Sequence, residues 1–587
     1  LRLVIHSEIP EDPGLHQQWN ALVQRLDRPQ VFFTWEWAFA VQLAYHAALR
    51  PLLFLAYDEQ ESLCAIAALA ANPQGTEVTF LCATTADYCD FLSSQQDKSE
   101  FISAVLAELK NRGIADITLT NLPADSNTVT ALEQASARLG YRFFARTAYV
   151  CAQVSLAKLD RVAGESRPVL PRKKMVRRFL NAMGRNAPVR LDHARSWDAV
   201  EVALPEFIQS HVARFLVTGL ISNMARPERQ LFLRELAKLL CESGWLDLTR
   251  MMSGQKVYAW NYGFRFQDTL FWYQPTFDSS LEKYSPGFCL LAKLIEESAD
   301  NPALKVVDLG LGAEEYKDRF SNESRETLYL TLRTSSARHY REIGRYYAAE
   351  TMRAVPKTEQ AARGLRQRWH RLRQRKQGSA ATFVWAAKRA REFLSSESEV
   401  VFYEWTGSAR PDSISNEIQA LDLNALAGAT MRYVNDDSTL TYLLRAAARL
   451  REGRAEGFGL TDSAGAFVHF AWVVAFDGFF LSELNAKVDA PSPESVMLFD
   501  CWTPAAVRGH GYYGRTIARV AQTMRERGKE PWIFSAASNL ASIRGLEKVG
   551  FERRYSLKRQ RALWWQRIKG KTPTAIESHA AEVSAHV

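Results

Sequence analysis

The chain has 587 residues, too many for a single hydrophobic core and enough for about three or four domains. At 47% hydrophobic and 24% charged it has an ordinary globular composition, and its most apolar run, "FVHFAWVVAF" at 467–476, is about half the length a bilayer span needs. The net charge of +9 is concentrated: from Arg353 to Lys376 nine Lys/Arg accompany one acid, Glu359, and the remainder is nearly neutral, which excludes a dedicated nucleic-acid binder.

The sequence opens without a basic start, short apolar stretch and small-residue cleavage site, so no secretory leader is expected. Seven cysteines (64, 82, 89, 151, 241, 289 and 501) are odd in number and widely spaced. They read as buried thiols in a reducing cytoplasm, with neither a disulfide framework nor a metal centre.

Residues 1–155 alternate strand-like and helix-like stretches. "PLLFLAYD" (51–58) and "SLCAIAALAA" (62–71) flank a polar turn and predict a hairpin. "SEFISAVLAELKNRG", opening at Ser99, spaces Phe101, Ile102, Val105, Leu106 and Leu109 as one helix face and stops at Gly113. "ADITLTNL" and "YRFFARTAYV" add strands around a helix at 128–139. A second unit starts with the basic stretch "PRKKMVRRFLNAMGR" (171–185), followed by helices near 196–215 and 226–243. Three strands follow, "DLTRMM", "KVYAWNYGFRF" and "TLFWYQPTFD", with turns at Ser253-Gly254 and Gln267-Asp268. In "YSPGFCLLAKLIEESAD" Ser285 is the expected cap and Pro286 the first helical residue, and "KVVDLG" returns as a strand.

Residues 340–376 read as a basic helix whose narrow stripe of Leu365, Trp369 and Leu372 is ringed by arginines. Packing on a neighbouring domain, contact with an anionic membrane surface and RNA binding all remain open for it. Gly378-Ser379 marks a break, a third α/β unit runs from about 392 to 568, and the Ala/Glu/Ser-rich tail after 571 is expected to be disordered.

The third unit carries "VRGHGYYGRT" at 507–516, between the strand "SVMLFDCWTP" and the helix "GRTIARVAQTMRERG". The first N–H groups of a helix lack intrahelical partners and carry the positive end of its dipole, so such a loop suits a phosphate. Gly509, Gly511 and Gly514 allow close backbone approach, and Arg508 adds a cation. A strand, "PWIFSAAS", expected parallel to the first, and the helix "NLASIRGLEKVGF" complete the unit.

Arg-x-x-Gly-x-Tyr, an Asn about 28 residues on and Glu-Lys-Val-Gly-Phe resemble the acetyl-CoA core of GNAT-fold acetyltransferases over roughly 495–555. The resemblance implies that Arg508, Gly509, Gly511, Tyr513 and Gly514 cradle the cofactor diphosphate. It further implies that "MLFDCW" pairs with the pantetheine arm, that Asn539 contacts the cofactor and that Asp500 is the base. The family's frequent acid, a Tyr, falls on Leu546, so Tyr512, Tyr513 or Tyr555 must replace it or the thiolate leaves unaided.

In the middle unit His211 and Arg214, Gly263-Phe264, Tyr273, Phe277-Asp278, "YSPGFCLLAKLIE" and "DLGLGAEEYKDRF" succeed one another as in the CelD/BcsL acetyltransferases of cellulose and exopolysaccharide synthesis, relatives of Fem-type aminoacyl transferases. This resemblance implies phosphate donors at Ser285 and Gly287. His211, Asp308, Glu314 and Lys317 become candidates for acid/base and substrate-positioning roles. The first unit lacks a glycine loop and reads as a degenerate copy, with Asp87, Tyr88 and Asp90 turned toward the second unit's cleft.

The expected fold is α/β, three GNAT-like mixed-sheet units, the first two as a Fem-like tandem joined to the third by a basic helix. The divisions are 1–160, degenerate; 161–345, CelD/BcsL-type; 346–391, basic linker; 392–570, C-terminal GNAT; and 571–587, tail. The expected activity is cytoplasmic, acyl-CoA-dependent N- or O-acyl transfer, acetyl from acetyl-CoA, to a small-molecule or sugar acceptor, an amino sugar or cell-envelope polysaccharide precursor, with peripheral membrane contact through 353–376. Aminoacyl transfer from tRNA and a non-catalytic CoA-binding scaffold are the alternatives.

Overall fold

The computed structural model describes residues 1–160, 170–312, 314–353, 395–407, 418–562 and 565–570. Residues 354–394 and 571–587 lie outside the described residues, and with them the basic linker after Arg353, its membrane contact and the tail. The chain divides into two compact units, Leu1–Arg214 with Arg226–Glu359, and Phe215–Ala225 with Gln360–Val587.

The first unit is built on one 13-stranded sheet. Its first half supplies β1 (Arg2–His6), β2 (Arg50–Tyr57), β3 (Leu63–Ala71), β4 (Glu77–Phe80), β5 (Leu92–Ser93), β6 (Asp116–Pro123) and β7 (Arg142–Ser155). Its second half supplies β8 (Val189–Ala194), β9 (Leu246–Ser253), β10 (Lys256–Phe266), β11 (Thr269–Phe277), β12 (Val306–Asp308) and β13 (Glu323–Arg333). The strand order is β1-β2-β3-β4-β6-β13-β7-β12-β11-β10-β9-β8, with β5 beside β3. The two halves thus exchange their longest strands: β13 lies between β6 and β7, and β7 between β12 and β13. The expected division at 160 therefore runs through a continuous sheet, in which neither long strand presents a free edge.

The second unit contributes β14 (Ser395–Trp405), β15 (Ile418–Ala420), β16 (Glu456–Thr461), β17 (Phe467–Ala475), β18 (Phe479–Leu481), β19 (Ala486–Val488), β20 (Ser495–Trp502), β21 (Glu530–Ala536), β22 (Phe551–Ala562) and β23 (Trp565–Lys569). Its main sheet runs β15-β16-β17-β20-β21-β14-β22-β23, and β18 and β19 form a separate hairpin. One pattern therefore occurs three times among the described strands: four antiparallel neighbours, a parallel fourth–fifth pair, then a strand from elsewhere before the sixth. The parallel pairs are β4/β6, β11/β12 and β20/β21. The inserted strands are β13, β7 and β14. The fold is mixed α/β with mixed sheets, as expected from the sequence.

Local chemistry sets the registers. The β9–β10 hairpin turns at Gly254 and the β10–β11 hairpin at Gln267, both with positive φ. Gly263 marks a register shift of β10 against β11, where a Cβ would stand 2.5 Å from Phe271 O and 2.3 Å from Asn261 Nδ2. Gly263→Ala should cost about 3 kcal/mol through overpacking and lower the melting temperature of the full chain.

Candidate functional site

The third repeat holds the clearest cleft. Its parallel ladder stops at Leu498–Ile533, while β20 runs on to Trp502 and β21 to Ala536, so the two strands come apart. The β17–β20 ladder jumps from Trp472–Phe499 to Phe470–Trp502, which leaves an extra residue on β20. Asp500 occupies this bulge with φ +47°. A cleft of about 1110 Å³ opens there, bounded by the 503–511 loop and the starts of the helices Tyr512–Glu526 and Leu540–Lys548.

The loop has left-handed backbone at two of its glycines. Gly509 and Gly511 have φ +84° and +72°, and a Cβ at Gly509 would meet nothing within 4 Å. Gly511 precedes the 512–526 helix, and no side chain caps its first N–H groups. Arg508 donates from Nε to Thr503 O at 3.0 Å and lies 5.6 Å from the centre of the Trp502 ring. Gly514 serves packing instead: a Cβ there would meet Val549 at 3.1 Å.

Other assignments shift. Asn539 caps the 540–548 helix, accepting from Ser542 N at 3.2 Å, so its side-chain oxygen has a structural partner although the residue lines the cleft. Leu546 is fully buried against Ile517 and Val520, so the position of the family's tyrosine faces the core. Tyr555 stacks on Phe402 at 4.5 Å in a different core. Tyr513 does line the cleft; its hydroxyl pairs with Ser542 Oγ at 2.9 Å, and burial raises its pKa so that it keeps its proton. Asp500, expected as a free base, is held by Arg449, whose Nη2 donates to Oδ2 at 2.8 Å. Burial pushes the neighbouring Cys501 thiol up to about 12, unsuited to nucleophilic attack near neutral pH.

In the second repeat, too, the fourth strand outruns its parallel ladder. Its ladder ends at Phe271–Asp308 and β11 continues to Phe277. Pro275 lies on that extension and brings no N–H, and Arg214 Nη1 donates to its carbonyl at 3.2 Å while stacking 4.3 Å over Phe277. Ser285 sits before the helix Pro286–Ala299 with φ +46°, but its side chain makes no capping bond, which corrects its expected role as cap. A Cβ on Gly287 would touch Phe277 at 3.4 Å.

Near the end of this ladder is a buried polar cluster contributed by both halves. Asp308, 1% exposed, accepts from Tyr88 Oη at 2.9 Å, Gln153 Nε2 at 2.7 Å and Gly310 N at 2.8 Å. Asp87 lies so close that a Cβ on Gly310 would stand 2.5 Å from its Oδ2. Burial, then the Asp308 charge, lifts Asp87 to about 7, and burial raises Asp308 as well. Lys317 is buried, donating to Leu311 O at 2.7 Å and pairing with the exposed Glu314 at 2.7 Å. Asp87 and Tyr88 thus face the second half, whereas Asp90 bonds Ser126 and Thr128 within the first. His211 is 4% exposed, and burial with the charges of Arg214 and Arg229 pushes its pKa to about 3. Its burial and these charges favour the neutral imidazole.

The fourth strand of the first repeat barely outruns its ladder. Its parallel ladder runs to Thr79–Thr118 and β4 ends one residue later at Phe80. Lys98, at the start of the helix Lys98–Asn111, turns its buried ammonium to Phe91 O at 3.0 Å and Thr128 Oγ1 at 3.3 Å.

Residues 171–318 match the family model described as an acetyltransferase (GNAT) domain. This segment, about a quarter of the chain, carries a GNAT domain. No curated protein matches it. Similar solved structures include L-PGS from Bacillus licheniformis (12% identity, 55% of this chain and 92% of that one, TM-score 0.36). FemX is similar at 10% identity, over 58% of this chain and all of that one, with a TM-score of 0.40. A tandem GNAT protein of the clavulanic acid biosynthesis pathway is similar at 11% identity, over 56% of this chain and 98% of that one, with a TM-score of 0.32. Among the described residues no group of three His/Cys/Asp/Glu could hold a metal ion, and no helix is long and apolar enough to cross a membrane.

Proposed function

We propose that the protein is an acyl-CoA-dependent N- or O-acyltransferase that binds acetyl-CoA in the C-terminal cleft and acylates an amino sugar or a sugar precursor of cell-envelope polysaccharide. One observation carries the reading: an uncapped helix start, two left-handed glycines and Arg508 border a cleft of about 1110 Å³ between parallel strands that come apart. Backbone N–H groups and a guanidinium there suit a diphosphate, and an open strand edge offers donors and acceptors to an amide-bearing arm. Tyr513 is the candidate donor of a proton to the departing thiolate, through its bond to Ser542. The resemblance of residues 1–350 to the CelD/BcsL family supports the acceptor class, and the seven free thiols suit a reducing cytoplasm.

A second reading concerns the tandem alone. Pro275 and Arg214 leave its strand edge less able to pair with pantetheine, which favours acceptor recognition, or a tRNA-borne aminoacyl donor, in the first unit. Calorimetry of the full chain with acetyl-CoA tests both readings. One site per chain, lost on altering the 503–511 loop, is expected. Two sites per chain would give the tandem its own CoA site, and no binding would remove the CoA reading.

A further inference from the structure

The cleft of the second unit has two different walls, one on each face of the sheet. Leu498 and Ile533 face the core shared with Ile517, Val520 and Leu546, on the side of the 512–526 helix. Phe499 faces the other way, packing on Phe479 of the β18–β19 hairpin with ring centres 5.2 Å apart. The bulge keeps Asp500 on that second face as well, where it meets Arg449 of the helix Asp437–Glu452. The Arg449 guanidinium is held between Trp472 at 4.7 Å and Phe499 at 4.8 Å. Its Nη2 is used by Asp500, but its Nη1 is buried without an acceptor. Arg445, one helical turn away and exposed, and Phe480, 55% exposed, border the same cleft. Glu483 also borders it, its Oε2 accepting from Ser482 Oγ at 2.9 Å.

We propose that this wall is the acceptor subsite and that Arg445 and Arg449 receive an anionic group of the acceptor, a carboxylate or a phosphate, with Phe480 covering its apolar part. The inference rests on the acyltransferase reading and adds the acceptor's charge to it. A buried guanidinium N–H without an acceptor is costly unless a ligand supplies one, and an arginine fork is shaped for an oxyanion. Residues at i and i+4 of a helix share one face, so Arg445 and Arg449 can bind one group together. Asp500 then acts as a positioning residue: it holds Arg449 beside Arg445, whose exposed guanidinium meets the ligand first. Arg445 and Arg449 lie on the face of Phe499, opposite the core of the 512–526 helix, so an acceptor held there would meet a donor bound where β20 and β21 diverge.

The test is acetyl transfer from acetyl-CoA to primary amines in three matched forms, with a carboxylate, with a phosphate, and neutral (amide or hydroxyl). Wild type should favour one anionic form at least tenfold in kcat/KM, and which form wins distinguishes carboxylate from phosphate. Arg445→Ala should bring the anionic-to-neutral ratio toward one, mainly through KM, and Arg445→Lys should restore part of it. Equal use of neutral and anionic amines by wild type, or an unchanged ratio in Arg445→Ala, would overturn the proposal. If no amine is acetylated, the same panel is titrated against CoA-saturated protein by thermal shift. Anionic members must then stabilise wild type more than Arg445→Ala, and equal shifts would overturn the proposal. Failure of acetyl-CoA to bind in calorimetry would instead strike the acyltransferase reading itself.

Discussion

Arg508→Glu should weaken acetyl-CoA binding at least about a hundredfold in calorimetry, which is about 2.7 kcal/mol. A hydrogen bond to a charged group contributes about 1.5–3 kcal/mol, and the reversed charge adds repulsion of the diphosphate. Arg508 is pre-set for the role because Thr503 O and the Trp502 ring hold its guanidinium at the loop. The residue is exposed and ties down no helix, so the variant should fold, and an unchanged melting temperature would confirm this. Gly511→Val is the backbone counterpart: a β-branched residue at φ +72° is strained and closes the approach to the 512–526 helix. Gly287→Trp, placed against Phe277 at the second repeat, should leave the C-terminal affinity intact. If Gly287→Trp removes binding and Arg508→Glu does not, the cofactor belongs to the tandem.

Several features were legible in the sequence because they depend on nearest neighbours. The turns at Ser253-Gly254 and Gln267-Asp268, the Pro286 helix start and the parallel partner of "SVMLFDCW" all follow from local turn and period signals. The glycine loop was legible for the same reason, since Gly509 and Gly511 need left-handed backbone. The strand exchange was not. Arg142–Gln153 pair with Glu323–Arg333 across 170 to 191 residues, and no local pattern encodes which of several apolar strands fills that slot. The chemistry of the sites was equally hidden. Asp500 looked like a free carboxylate because Arg449 lies 51 residues upstream, and only the bulge turns the two together. Gly514 shares its neighbours' sequence signature but answers to Val549, just past the end of another helix. Leu546 and Asn539 show the same limit: the motif gives the residue type, while helix rotation decides whether it faces ligand or core.

Among the described strands the three repeats differ in how far the fourth strand outruns its parallel ladder. β20 extends four residues past Leu498 and β11 six past Phe271, but β4 stops one past Thr79. The short β4 leaves the first repeat free to lend its 85–88 segment to the second, where Tyr273 bonds Thr85 O and Tyr88 bonds Asp308.

That loan has a measurable consequence in pH. Asp87 titrates near 7 in the fold and near 3.8 in an unfolded chain. Between those values the unfolded state has released the proton and the native state still holds it, so stability falls as pH rises. Above the folded pKa the full penalty of a buried charge beside Asp308 is present. Asp87→Asn carries no such charge. From pH 5 to pH 8 the wild type should therefore lose about 3 kcal/mol relative to Asp87→Asn in denaturant unfolding of the full chain. A difference independent of pH would show that Asp87 stays ionised throughout, paired by Lys317 and Arg229 rather than protonated. Gly310→Ala supplies the steric counterpart. It pushes a methyl group to within 2.5 Å of the Asp87 carboxylate, at φ +70°, and should destabilise the fold at every pH while leaving the slope in place. The two variants separate the proton from the packing: only the first removes a titrating group, so only the first should flatten the pH dependence.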